Sequence, residues 1–107
     1  MNTTLCSRID FAKIVEYNSI YFFRHEVVSE NEDNLMVKEV MAVVPHATYE
    51  TLVAGLIHTK YSTDAETAIL ANYLADPSNE AHKAEFDEYQ AWRTEVKTAC
   101  KEYYNID

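Results

Sequence analysis

The sequence predicts an α+β domain, a small three-stranded antiparallel meander followed by three helices. Three observations carry that expectation. The first half of the chain holds short runs of β-branched and aromatic residues separated by turn-prone or polar stretches. The second half repeats its apolar residues at three- and four-residue spacing. Capping residues and one Asp-Pro pair divide that second half into three pieces.

Residues 13–17 (KIVEY) form the first expected strand, and Asn18-Ser19 is a turn-prone pair. Residues 20–29 (IYFFRHEVVS) and 35–44 (LMVKEVMAVV) are the second and third strands. The polar 30–34 stretch (ENEDN) suits the hairpin loop between them, and Pro45 stops the third. An alternative for residues 7–14 is a short helical turn capped by Ser7. Alternation points Ile20, Phe22 and Arg24 one way, and Tyr21, Phe23, His25 and Val27 the other. In the third strand Met36, Val40, Ala42 and Val44 share a face, interrupted by Lys38. Both faces therefore carry apolar groups. One is expected against the helices, the other partly under the chain's own ends or another subunit.

Thr48 can cap the first helix, whose stripe is Tyr49, Leu52, Val53, Leu56 and Ile57. Gly55, the sole glycine, lies inside it at a cost of about 1 kcal/mol against Ala. Close packing on the sheet or on a neighbouring element would explain it. The second helix opens at Ser62-Thr63-Asp64-Ala65-Glu66, where Thr63 has the capping-box spacing to Glu66. Ala65, Ile69, Leu70, Tyr73 and Leu74 form its expected buried side, and Asp76-Pro77 ends it. The third helix starts near Ser78 and runs to about Tyr104. Phe86, Tyr89, Val96, Cys100 and Tyr103 form its row, with Arg93 among them and Trp92 and Ala99 widening it.

The 107 residues suffice for one domain, with residues 12–44 as sheet and 47–104 as helices. Any disorder is expected in residues 1–6, in the 30–34 loop and at the last few positions. A chain of this length buries roughly two-thirds of its unfolded surface, so its core needs no metal or disulfide. The formal charge of −9 disfavours nucleic-acid phosphates and anionic membranes. No direct nucleic-acid binding and no membrane association are expected. Cys6 and Cys100 lie near opposite ends with no CxxC spacing, which suits reduced thiols in a cytosol. A bridge between them is the alternative. No apolar run spans a bilayer and the N-terminus has no signal-peptide pattern, so a cytoplasmic location is expected.

One glycine excludes the P-loop, GxGxxG and GxSxG turns. His25, His46, His58 and His82 are scattered without ligand spacing, so no metal and no cofactor are expected. Asp87-Glu88 has little meaning as an acid/base pair among 18 acids. No catalytic residue is assigned. Partner contact is the one role the sequence offers. Tyr21 and Phe23 belong to the best candidate for a basic-aromatic run, residues 21–25, which reads more simply as core strand residues beside a surface charge. Trp92 and Arg93 are residue types that anchor interfaces. Their other reading is a Trp that closes the core and an Arg paired with a nearby acid.

The pattern Tyr61-Ser62-x-Asp64-x-Glu66-x-Ala68-Ile69-Leu70, then Glu85-Phe86-x-Glu88-Tyr89-x-x-Trp92-Arg93-x-x-x-Lys97, covers about a third of the chain. It resembles a C-terminal helical segment of short uncharacterised proteins encoded by bacteriophages and prophages, including those of gut bacteria. The linker over 76–83 is longer here than in the common form. The resemblance implies expression in a bacterial cytoplasm and a role in phage or mobile-element biology through protein contacts; it carries over no catalytic residue. The expected function is that of a non-enzymatic interaction protein, an assembly accessory with a protein partner or a second copy of itself. A second reading is an acidic mimic of nucleic acid that blocks a host DNA-binding protein, motivated by Glu80, Glu85, Asp87, Glu88 and Glu95. A small enzyme is a third, with no motif behind it.

Overall fold

A computed structural model describes the backbone of Asn2–Ser7 and, in full, residues 12–106. The elements in order are β1 (Asn2–Ser7), β2 (Ile14–Tyr17), β3 (Ile20–Glu30), β4 (Asn34–Val43), α1 (Tyr49–Ile57), α2 (Thr63–Ala75) and α3 (Glu80–Tyr104). The expected meander is β2-β3-β4, and the three expected helices follow it. β1, where the sequence suggested no element, adds a fourth strand antiparallel to β4, giving the order β1-β4-β3-β2. The helical alternative for residues 7–14 falls largely outside the described residues; Ser7 ends β1 and Ile14 opens β2.

Turn chemistry sets the register. Asn18 and Ser19 both have positive φ, 50° and 67°, as a two-residue type I′ hairpin requires. The Ser19 N–H donates to the Glu16 carboxylate at 2.9 Å. This turn pairs Tyr17 with Ile20 and Val15 with Phe22. At the other hairpin, the Asn31 side-chain oxygen accepts from the Asp33 and Asn34 N–H groups at 3.0 and 2.8 Å, an Asx turn. Between β3 and β4 the register slips at His25 and again at Val28, so β3 carries two extra residues.

α1 begins at Thr48, whose hydroxyl accepts from the Thr51 N–H while the Thr51 hydroxyl accepts from the Thr48 N–H. Leu52, Val53, Leu56 and Ile57 are buried, as their spacing predicts. A Cβ on Gly55 would stand 3.0 Å from Val44 Cγ2 and 3.6 Å from Ala42 Cβ, so the glycine lets α1 lie directly on β4. α2 departs from expectation at two points. Its cap is Ser62, which accepts from the Ala65 N–H at 3.1 Å, and Thr63 is already helical. Of its expected buried side only Ile69 is buried; Leu70 and Leu74 are exposed, because α2 packs mainly on α3 and these two side chains fall off that contact. There the Tyr73 and Phe86 rings stack at 4.2 Å.

α3 has 25 residues, hence roughly 37 Å of helix at 1.5 Å per residue. It starts at Asn79, whose side chain accepts from the His82 N–H, and ends at Asn105 in the left-handed conformation. Tyr89, Trp92, Val96, Ala99 and Cys100 are its buried face. They meet Tyr21 and Phe23 of β3, Val40 of β4 and the α1 stripe in one core. The fully buried Cys100 is a free thiol, and burial pushes it up to about 11. The Cys6 side chain, and with it a Cys6–Cys100 bridge, lies outside the described residues. Among the described residues no helix is long and apolar enough to cross a membrane.

Candidate functional site: an apolar sheet face and a charged cleft

The four residues the sequence offers for partner contact do not make a surface. Trp92 is 3 % exposed, Phe23 1 % and Tyr21 8 %. The Phe23 and Trp92 rings lie 5.6 Å apart, and Tyr21 meets the Tyr103 ring edge-on at 6.1 Å. Helical periodicity explains Trp92: it falls between Tyr89 and Val96 on the stripe that faces the sheet. Only Arg93 reaches towards solvent, with its guanidinium 5.7 Å from the Tyr89 ring centre.

The surface lies on the other side of the same strands. Core-facing Tyr21 and Phe23 alternate with Ile20 and Phe22, which point away from the helices. Pairing aligns Val15, Phe22 and Met41 across β2, β3 and β4, and likewise Tyr17, Ile20 and Val43. Two rows of three apolar side chains result, with no charge among them. Tyr17 is 68 % exposed, Val43 62 % and Met41 55 %; Val15, Ile20 and Phe22 are half-buried. The Asn18-Ser19 turn bounds the block at one end. At the other stand Arg24 and Glu39, 3.8 Å apart and largely shielded. Beyond that pair β4 presents Leu35 and Val37, which are buried as a small cluster of their own. The alternation pointed to a second apolar face; what it did not tell was which of the two faces meets the helices.

A second feature is polar. His25, Glu26, Lys38, Lys60 and Glu95 line a concavity of about 280 Å³ above Trp92. The slip in register at His25 makes it: two consecutive residues, His25 and Glu26, open onto one space. The Lys38 ammonium and Glu26 carboxylate pair at 3.0 Å. The Lys60 ammonium sits 4.0 Å from the centre of the Trp92 ring. His25 stands edge-on to the same ring at 5.1 Å. Its Nε2 and the Trp92 Nε1 are buried with no hydrogen-bond partner among the described residues. Desolvation lowers the His25 pKa, Lys60 and Lys38 add to that, and Glu26 opposes it. Glu95 is raised, first by desolvation between the walls and then by Glu26, against Lys60 and Lys13.

A third cluster ties the helices together. Glu66, expected to close a capping box, instead accepts from the Tyr89 hydroxyl and bonds His58 Nε2 at 2.7 Å. Tyr61 meets the Tyr89 ring edge-on at 5.0 Å. Desolvation raises Glu66, but the Tyr89 and His58 bonds outweigh it and the carboxyl ends below its ordinary value. Tyr89 is pushed up to about 12, by desolvation first and by Glu66 second. A phenol held protonated against a carboxylate joins α2 to α3, and nothing in its setting activates it as a base or nucleophile. Among the described residues no three His, Cys, Asp or Glu side chains gather as metal ligands. Set against protein-family models, curated proteins and solved structures, the chain matches none.

Proposed function

We propose that the protein is a non-enzymatic association module that pairs with a second copy of itself through the outer face of its sheet. One observation carries this reading: two aligned rows of three apolar side chains, uncharged, with Tyr17, Met41 and Val43 open to solvent and Val15, Ile20 and Phe22 half-buried between them. Sheets pack face to face through such rows at about 10 Å. Self-pairing suits this face better than a basic partner would. The chain carries −9, yet none of that charge lies within the block, so two copies can meet there without setting acid against acid. At its rim Arg24 and Glu39 offer one charge of each sign. Six side chains make a small interface, and the expected dimer is weak, with a Kd of about 1 µM or above. The likeness of residues 61–97 to phage and prophage proteins supports placing this association in the assembly of a mobile element.

The nucleic-acid mimic has less behind it. A mimic needs rows of carboxylates with few bases between them. Here Lys83 pairs with Asp87 at 2.8 Å, Lys38 with Glu26, and Lys13 with Glu102 at 3.7 Å. Sedimentation velocity over a concentration series tests the proposal. The wild-type protein should shift from monomer to dimer. A Met41→Lys, Val43→Lys double variant should stay monomeric with an unchanged circular dichroism spectrum. A wild-type chain that stays monomeric at millimolar concentration refutes the reading.

A further inference from the structure

We infer that the charged cleft above Trp92 binds a small zwitterion of the α-amino-acid class. The cleft draws its walls from separate parts of the fold: His25 and Glu26 from β3, Lys38 from β4, Lys60 from the α1–α2 connection and Glu95 from α3. Within it, Glu26 and Lys38 neutralise each other. Lys60 and Glu95 do not. Neither the Lys60 ammonium nor the Glu95 carboxylate has an ion pair or hydrogen bond among the described residues. The Lys60 ammonium is instead held over the indole. Among the described residues the site therefore presents one cation and one carboxylate without an ion pair, and an imidazole nitrogen that is buried without a hydrogen-bond partner.

That balance selects the ligand. A simple anion would gain Lys60 and meet Glu95 and Glu26. A simple cation would gain Glu95 and meet Lys60 and Lys38. A molecule with both charges a few bonds apart satisfies both at once, its ammonium on Glu95 and its carboxylate on Lys60. The volume sets the size. About 280 Å³ falls just under the range of roughly 300–1,000 Å³ for drug-sized ligands. A single amino acid fits this scale better than a longer peptide. The raised carboxyl of Glu95 agrees with a group whose desolvation the charges of Lys60 and Lys13 do not offset.

Trp92 is the chain's one tryptophan and underlies the cleft, so its fluorescence reports occupancy. The L-α-amino acids are titrated singly into the wild-type protein, with acetate, methylammonium and inorganic phosphate as controls. At least one amino acid should give a saturable change at millimolar concentration or below, and the controls none. Amide and indole N–H resonances followed by NMR should move at His25, Lys60, Trp92 and Glu95. Lys60→Ala and Glu95→Gln should each weaken binding about tenfold or more, read by NMR with the fold intact. No saturable response to any amino acid overturns the inference. So does an equal response to acetate or phosphate, or binding unchanged in both variants. The residues differ from those of the sheet face, so the dimer and the ligand stand or fall separately.

Discussion

Glu66 carries a carboxylate that a local sequence pattern assigns to its own helix and that the fold gives to two others. It binds Tyr89 on α3 and His58 at the end of α1, and Ser62 caps α2 in its place. The reason is distance: a capping box closes within one turn, whereas Tyr89 lies 23 residues on and is invisible to local pattern. Two consequences can be measured. Ser62→Ala should cost about 1 kcal/mol in urea unfolding, and Thr63→Ala close to nothing. Tyr89→Phe should cost about 1–3 kcal/mol, since it leaves one partner of a shielded carboxylate missing. At position 25 the sign of the pH dependence follows from burial. The folded His25 pKa lies below the ordinary 6.5, so the unfolded chain binds the proton first as pH falls. Stability should therefore drop as pH falls below about 6.5, until the folded-state value is reached. His25→Gln should remove that part of the slope in melts run at stepped pH. Glu66 acts in the same direction lower down: its folded pKa is below 4.5, and the stability it gives above that value is lost on further acidification.

Elements were legible where one chemical signal dominated. The Asn18-Ser19 pair, the polar loop between β3 and β4, the Thr48 cap, the α1 stripe and the Asp76-Pro77 stop all lie where local rules place them. β1 was not legible. Its residues, NTTLCS, have little apolar alternation, and only pairing with β4 makes them a strand. The extra residues in β3 were hidden too, since a bulge depends on the partner strand. The bulge at His25 builds the charged cleft, which accounts for the sequence's silence about it. Leu70 and Leu74 misled because periodicity tells which face is apolar and not how far the neighbouring element extends. Gly55 gives the test at this scale. Gly55→Leu should destabilise by several kcal/mol despite better helix propensity, since its side chain must displace Val44. A neutral or positive shift in the urea midpoint would mean that α1 does not rest on β4.

The whole molecule is long for its size, 48 × 33 × 26 Å, with a radius of gyration of 15.6 Å against about 13 Å for a compact chain of this length. α3 gives it a spine, and Trp92 sits where spine, sheet and α1 meet. Trp92→Ala should cost about 3–5 kcal/mol and broaden NMR lines across all three. A small loss would place the ring outside the core. Net charge acts at this scale as well. With −9 on each copy, added salt should strengthen the proposed dimer by screening repulsion between subunits. Salt that weakens it would point instead to ion pairs as the source of affinity.

The sheet comes first in the chain and its cover comes last. Residues 14–43 can complete the meander by short-range pairing, but Tyr89, Trp92 and Val96, which close over Phe23 and Val40, are made more than forty residues later. At roughly 5–20 residues per second a ribosome needs several seconds to supply them. During that interval both sides of the nascent meander are apolar and open. The outer face that later serves pairing is then a hazard of synthesis, and crowded polysomes are where this protein is most exposed to premature aggregation.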